Sequence, residues 1–222
     1  MLLLAADTSG KHGTIALARC GPGDDCIVLE VVPLEGGTFS AQLVPQIAAT
    51  LAKHGFGKTD IGGFAVVSGP GSFTGVRVGL AAIKALAEVL QKPIAKVSLL
   101  EAIATSSPAQ GRVMAVMDAG RGEIYVGEYD VRSDGAHLLK EQLLTLTELL
   151  AAKTSTVVTA DHNLAEAARQ AGFPVTEIEL PRSDVIARLG WRRISAGETV
   201  SPEGLDANYI RSSSEIFSKS SS

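Results

Sequence analysis

Two successive units, each of the form βββαβαβα, predict an α/β fold built by internal duplication. The first observation behind this is a repeat. VMDAGRGEIYVGEYD at Val116–Asp130 can be laid over AADTSGKHGTIALARC at Ala5–Cys20, each a strand ending in Asp, a turn of small residues and a returning strand. The second is the stretch from Ala65 to Leu90, AVVSGPGSFTGVRVGLAAIKALAEVL, which runs from an apolar strand through a Gly/Pro turn into the most strongly patterned helix. The third is the run Ser106-Ser107-Pro108-Ala109-Gln110-Gly111, which reads as a linker between halves. It divides the chain into residues 1–106 and 111–211, followed by a serine-rich tail, 212–222, whose low apolar content predicts disorder.

In chain order, Leu2 to Ala6 is an apolar strand, Gly13 to Cys20 its hairpin partner, and Asp24 to Pro33 a third strand after the Gly21-Pro22-Gly23 turn. Thr38 to His54 is a helix with Leu43, Ile47 and Leu51 on one face, Gly55 as its stop and Pro45 expected to bend it. Ala65 to Val67 suits a strand buried on both faces. Gly69-Pro70-Gly71 turns the chain, and Ser72 is placed to cap the helix that ends at Leu90. A strand at Ile94 to Val97 and a helix from Ser98 to Thr105 close the first half. The second half continues with strands at His137–Leu143, Thr156–Thr159 and Val175–Leu180, and helices at Thr147–Ala152, Asn163–Ala171 and Ser183–Gly197.

The Ser72–Leu90 helix has three faces. Val76, Leu80, Ile83, Ala87 and Leu90 form a stripe suited to cover a sheet, while Arg77, Lys84 and Glu88 form a solvated one. The third face, Gly75, Gly79, Ala82 and Leu86, starts with two glycines, each costing about 1 kcal/mol in a helix interior relative to alanine. Two of them four residues apart imply that another backbone approaches closely, either within the chain or from a partner.

The composition narrows the function. The 222 residues are 45% apolar, enough for a large core, and the formal charge of −4 counts against independent binding to nucleic acid. The opening MLLLAAD is too short and has no basic lead for a signal or membrane segment, so a cytoplasmic protein is expected. Cys20 and Cys26, the two cysteines, are read as reduced buried thiols rather than a disulfide or a metal pair. GPGSFTG matches neither the GxGxxG of a dinucleotide loop nor GxxxxGK[ST]. Ser72 does not stand in a G-x-S-x-G elbow. Glu101 lacks a paired acid or His in the sequence pattern and reads as a solvated or capping helix residue.

The string GPGSFTGVRVGLAAIKALA closely resembles the signature of the bacterial TsaB (YeaZ-type) family, a glycoprotease-like branch of the actin/Hsp70/sugar-kinase superfamily. The resemblance extends to LLLAADTS, FSAQLVPQI, KPIAKVSLLEAIA, VMDAGRGEIYVGEY and SPEGLDANYIR. It implies a tandem duplicated actin/Hsp70/sugar-kinase-like (ribonuclease H-like) fold. It also implies a subunit acting with a TsaD-type transferase and a TsaE-type ATPase subunit to form N6-threonylcarbamoyladenosine beside the anticodon of transfer RNAs reading ANN codons. The complex would use ATP and Mg²⁺, this chain would meet transfer RNA only through the complex, and it would pair with itself when alone.

The resemblance also locates candidate residues. Asp7-Thr8-Ser9 and Asp118-Ala119-Gly120 sit at the hairpin turns where relatives bind phosphate and metal. They are weak cofactor candidates, because each Asp suits a turn held by its carboxylate and a backbone amide two residues on. Thr159-Ala160-Asp161-His162-Asn163 stands where the transferase has a glycine-rich adenosine loop, so no tightly bound nucleotide is expected. Leu99 and Ile103 stand at the two positions of the transferase's His-x-x-x-His metal pair, and aliphatic side chains do not ligate metal. The four histidines, His12, His54, His137 and His162, lie at no ligand spacing and read as surface residues. Catalytic silence is therefore expected, with a weak ATPase or glycoprotease-like metallopeptidase as the alternative. The expected partner surface comprises the helices Thr38–His54 and Ser72–Leu90 through Phe39, Leu43, Ser72, Gly75, Gly79, Ala82 and Leu86. Phe39 departs from the His usual before Ser40 in the related string, adding apolar contact surface there.

Overall fold

The computed structural model describes residues 1–23, 25–151 and 155–210. The expected tail at 212–222 lies outside the described residues, as do Asp24 at one strand start and Ala152 at one helix end.

The first sheet has the order β3-β2-β1-β4-β5, from β1 (Leu2–Asp7), β2 (Gly13–Cys20), β3 (Cys26–Leu34), β4 (Ile61–Gly69) and β5 (Ile94–Ser98). The first three strands run antiparallel, whereas β1, β4 and β5 are parallel, with Ala5 opposite both Ala16 and Ala65. Every residue of β1 is buried because it is the middle strand with helices on both faces. Its even positions, Leu2, Leu4 and Ala6, join a core with Leu43, Ile47 and Leu51 of α1 (Phe39–Lys53) and Val76, Leu80, Ile83 and Ala87 of α2 (Phe73–Leu90). Each fully buried aliphatic side chain there contributes about 1.5–3 kcal/mol of transfer free energy. The helix α1 continues through Pro45, and Ser72 caps α2 as expected, its Oγ accepting from the Gly75 N–H at 3.3 Å. Gly69 has φ +123°, a backbone angle that favours glycine.

The second sheet has the corresponding order, β8-β7-β6-β9-β10 read from its other edge. It comprises β6 (Gly111–Gly120), β7 (Glu123–Arg132), β8 (Gly135–Thr145), β9 (Thr156–Thr159) and β10 (Val175–Glu177), with α4 (Leu146–Ala151) and α5 (His162–Gln170). Met114, Val116, Ile124, Val126, Leu149, Val157, Ala168 and Phe173 form its core. The shared strand order and the shared βββαβαβα succession make this a duplicated actin/Hsp70-like fold.

The compact units do not follow the division at 106–111. One contains Met1–Leu99 together with Pro181–Asn208, and the other contains Leu100–Leu180. The last helix of each repeat is thus exchanged: nearly all of α3 (Leu99–Thr105) belongs with the second unit and α6 (Ser183–Ser195) with the first. Small residues explain where α6 goes. Gly190 lies directly on Ala65, where a Cβ would strike the Ala65 methyl, and next to Ala95, so the helix settles close against the first sheet with Ile186 and Leu189 buried. Its apolar periodicity identifies a buried face, but not the sheet that buries it.

Candidate functional site

The first turn, where the notable glycines converge, is closed by its own chain. Strand β1 ends in Asp7, whose Oδ1 accepts from the Ser9 N–H at 2.8 Å and the Ser9 hydroxyl at 2.6 Å. Thr8 donates through its hydroxyl to the Gly75 carbonyl at 2.7 Å, and the Ser72 N–H donates to the Ser9 carbonyl at 2.7 Å. Asp7, Thr8 and Ser9 are all buried. A Cβ at Gly75 would run into the Thr8 carbonyl oxygen, one at Gly79 into the Thr8 hydroxyl, and one at Gly71 into Ser9. The close backbone approach signalled by these glycines is therefore intramolecular.

This corrects the residues expected to meet a partner. Gly75 and Gly79 are buried against Thr8, and Phe39 and Leu43 are core residues, 7% and 1% exposed. Phe39 packs its ring where a Cβ on Gly13 would fall, so it supports the first hairpin from inside. Ala82 and Leu86 are half-buried against the same core, and Ser72 is exposed but engaged as the cap of α2.

A different face of the same helices is uncovered. Along α2, Phe73, Arg77, Ala81, Ala85 and Val89 recur every fourth residue, and all are exposed, Phe73 at 63% and Val89 at 74%. The Arg77 guanidinium lies over the Phe73 ring at 3.2 Å from its centroid. Along α1, Ala41, Val44, Pro45, Ala48, Ala49 and Ala52 are exposed, and no charged side chain occurs from Phe39 to Ala52. The four-residue spacing of Phe73, Arg77, Ala81, Ala85 and Val89 is the sequence signal for this stripe, one face over from Gly75 and Gly79.

At the second hairpin turn, Asp118 Oδ1 accepts from the Gly120 N–H at 2.9 Å, the same amide-two-on arrangement as at Asp7. The environments differ, because Asp118 is exposed and Asp7 is 4% exposed. Burial raises the Asp7 pKa above its ordinary 3.8, and the two Ser9 hydrogen bonds oppose that rise. Stability from this group is thus fully present below pH 3.8 and declines as pH rises through the folded-state pKa. Asp7→Asn keeps an acceptor for Ser9 without the charge. Its stability is expected to gain on the wild type as pH rises above about 4, where the buried wild-type carboxyl is progressively forced to ionise. Urea melts of both proteins from acid to neutral pH test this, and parallel curves would count against a buried carboxylate.

In the stretch Thr159–Asn163, Thr159 donates to the Val116 carbonyl at 2.9 Å and Asp161 caps α5 through the Asn163 and Leu164 N–H groups at 2.8 and 3.1 Å. Leu99 and Ile103 are buried, and Glu101 is half-buried in the first turn of α3. His54, His137 and His162 each pair with a carboxylate, Glu30, Asp134 and Glu177 respectively, at 2.8–3.0 Å. Among the described residues, no group of three or more His, Cys, Asp or Glu side chains is placed to hold a metal.

A family model described as TsaD, tRNA N6-adenosine threonylcarbamoyltransferase, matches residues 31–213. The chain belongs to this family as a TsaB/YeaZ-type protein. The TsaB of Escherichia coli (strain K12), named as a tRNA threonylcarbamoyladenosine biosynthesis protein, is 28% identical over 224 residues, covering 95% of each chain. The TsaB of Bacillus subtilis (strain 168) is 34% identical over 134 residues, a match spanning 60% of this chain and 57% of the relative's length. A Pseudomonas aeruginosa protein described as similar to peptidase YeaZ superposes with a TM-score of 0.79 at 26% identity, over 95% of this chain and 99% of that one. The TsaB/YeaZ-type fold therefore extends over both units of the chain. Among the described residues, no helix is long and apolar enough to cross a membrane.

Proposed function

We propose that the chain is the non-catalytic partner of a TsaD-type transferase in forming N6-threonylcarbamoyladenosine beside the anticodon of transfer RNAs reading ANN codons. The observation that carries this reading is the exposed, uncharged α1 surface beside the Phe73–Val89 stripe of α2. Such a surface loses unfavourable hydration when another helix pair covers it. The printed function of the TsaB relatives supplies the pathway. Catalytic silence is supported by Leu99 and Ile103, buried aliphatic groups where the resemblance places the transferase's metal ligands. The partner complex supplies ATP and Mg²⁺ chemistry, through the transferase and a TsaE-type ATPase subunit. Transfer RNA is reached through that complex, in keeping with the −4 net charge. Alone, the chain covers the same surface with a second copy, and it works in the cytoplasm.

Reconstitution tests the proposal. With transferase, ATPase subunit, ATP, Mg²⁺, threonine-derived adenylate and transfer RNA, the modified nucleoside is expected to appear when this chain is added and to drop to background when it is omitted. Calorimetric titration of ATP and Mg²⁺ into the isolated chain is expected to show no micromolar site. Undiminished modification without the chain, or a micromolar ATP site on it, would overturn the reading.

A further inference from the structure

Cys20 and Cys26 face each other across the β2–β3 hairpin, paired directly in the register. Both backbone groups of Cys20 turn toward the opposite neighbour. Its N–H donates to the Met1 carbonyl at 2.9 Å, and its carbonyl accepts from the Met1 ammonium at 2.6 Å. The cysteine pair is therefore a non-hydrogen-bonded one, with the Gly21 N–H to Asp25 carbonyl bond at 2.8 Å one step further on. Residues opposed in this way stand about 4.5 Å apart at Cα. That lies within the roughly 4.4–6.8 Å that a disulfide spans.

Both thiols are free in the structure, Cys20 buried and Cys26 half-buried. Cys26 is thus more accessible than the buried thiol that the sequence predicts. We propose that the Cys20–Cys26 pair is a thiol–disulfide site, Cys26 reacting first with a small hydroperoxide and Cys20 resolving the product. The geometry assigns the roles by access: solvent reaches Cys26, whereas Cys20 is 2% exposed.

The electrostatics agree. A hydrogen bond from Cys20, followed by the positive charge of Arg188, lowers the Cys26 pKa against opposing burial and Asp25. The same hydrogen bond, with burial, pushes the Cys20 thiol well up, so Cys26 is the more readily ionised of the two. Helix α6 supplies the cation. Arg188 is held there by Asp184 at 3.1 Å, and Trp191, one turn on, donates its indole N–H to the Gly23 carbonyl at 2.8 Å inside the loop joining the cysteines.

The chemistry balances in two steps. The Cys26 thiolate attacks one peroxide oxygen, the O–O bond breaks, and the sulfur becomes a sulfenic acid as hydroxide leaves. Cys20 then attacks that sulfur, the S–S bond forms, and hydroxide departs. The Cys20 proton and the proton gained from solvent convert the two hydroxides to water. Two electrons pass from the two sulfurs to the peroxide, and a dithiol reductant returns them.

Hydrogen peroxide added to the folded full-length chain tests this. The expected result is joint loss of both titratable thiols, an intact mass lower by two hydrogens, a chain that stays monomeric under non-reducing denaturing conditions, and a change in the emission of Trp191, the chain's one tryptophan. Dithiothreitol should reverse the thiol loss, the mass change and the emission change. Cys20→Ser should react at nearly the wild-type rate but stop at a sulfenic acid that a dimedone probe captures, whereas Cys26→Ser should be consumed at least roughly tenfold more slowly. Two thiols surviving in folded protein, a disulfide between chains, or equal rates for the two variants would overturn the proposal. If either variant fails to fold, the thiol count and mass of the wild-type chain decide it.

Discussion

Gly75→Ala is expected to destabilise the protein by about 1–3 kcal/mol, although the same substitution would stabilise most exposed helices. Replacing glycine by alanine in a helix interior gains about 1 kcal/mol from propensity. Here the added methyl is driven into the Thr8 carbonyl oxygen, a backbone atom that cannot rotate away. Overpacking of this kind costs about 1–3 kcal/mol, occasionally more. The hydrogen bond from the Thr8 hydroxyl to the Gly75 carbonyl, worth about 1 kcal/mol, is strained with it. The clash thus outweighs the propensity gain. Urea denaturation should show a lower midpoint at unchanged m-value. A midpoint equal to or above the wild type would mean that α2 does not rest on the first turn. Gly79→Leu, which a free helix face would accept, meets the Thr8 hydroxyl and should fail to fold.

Ala85→Glu should do the reverse, leaving the fold intact while removing partner binding. Ala85 is exposed between Ala81 and Val89, so a glutamate there is solvated in the free chain and changes stability by no more than about 0.5 kcal/mol. Once another helix covers the stripe, the carboxylate loses its water. A buried, unpaired charge in an interface costs about 2–5 kcal/mol. Taking the lower figure, affinity for the TsaD-type transferase should fall at least roughly thirtyfold. If the chain pairs with itself through this surface, as proposed, self-association measured by sedimentation should weaken in parallel. Retained binding within about threefold would move the partner surface elsewhere on the protein.

The sequence revealed much of this fold because both units use strong local signals. The β2 bounds were legible from alternation between Gly13 and Cys20, and the α2 start from Ser72 after the Gly69-Pro70-Gly71 turn. Local signals describe a residue's element and its apolar face. They do not say which atoms cover that face, and this is where the readings diverged. Gly75 and Gly79 announced a close neighbour, but Thr8, 67 residues before Gly75, was the neighbour. Phe39 and Leu43 were legible as apolar, yet their burial beneath α1 depended on the first hairpin and sheet. The strand expected through Leu180 ended at Glu177, since its pairing to β9 extends only from Val175 to Glu177.

The exchange of final helices has a consequence for synthesis of the chain. Strands β1 to β5 are complete by Ser98, but the helix that seals the Ala5, Ala65 and Ala95 side of their sheet ends at Ser195. At ordinary translation speeds, those intervening residues take roughly 5–20 s to emerge. During that interval an alanine-rich sheet surface waits at the ribosome without its cover, although the α1–α2 side can already pack. The first unit is therefore finished last, after every strand of the second has been made.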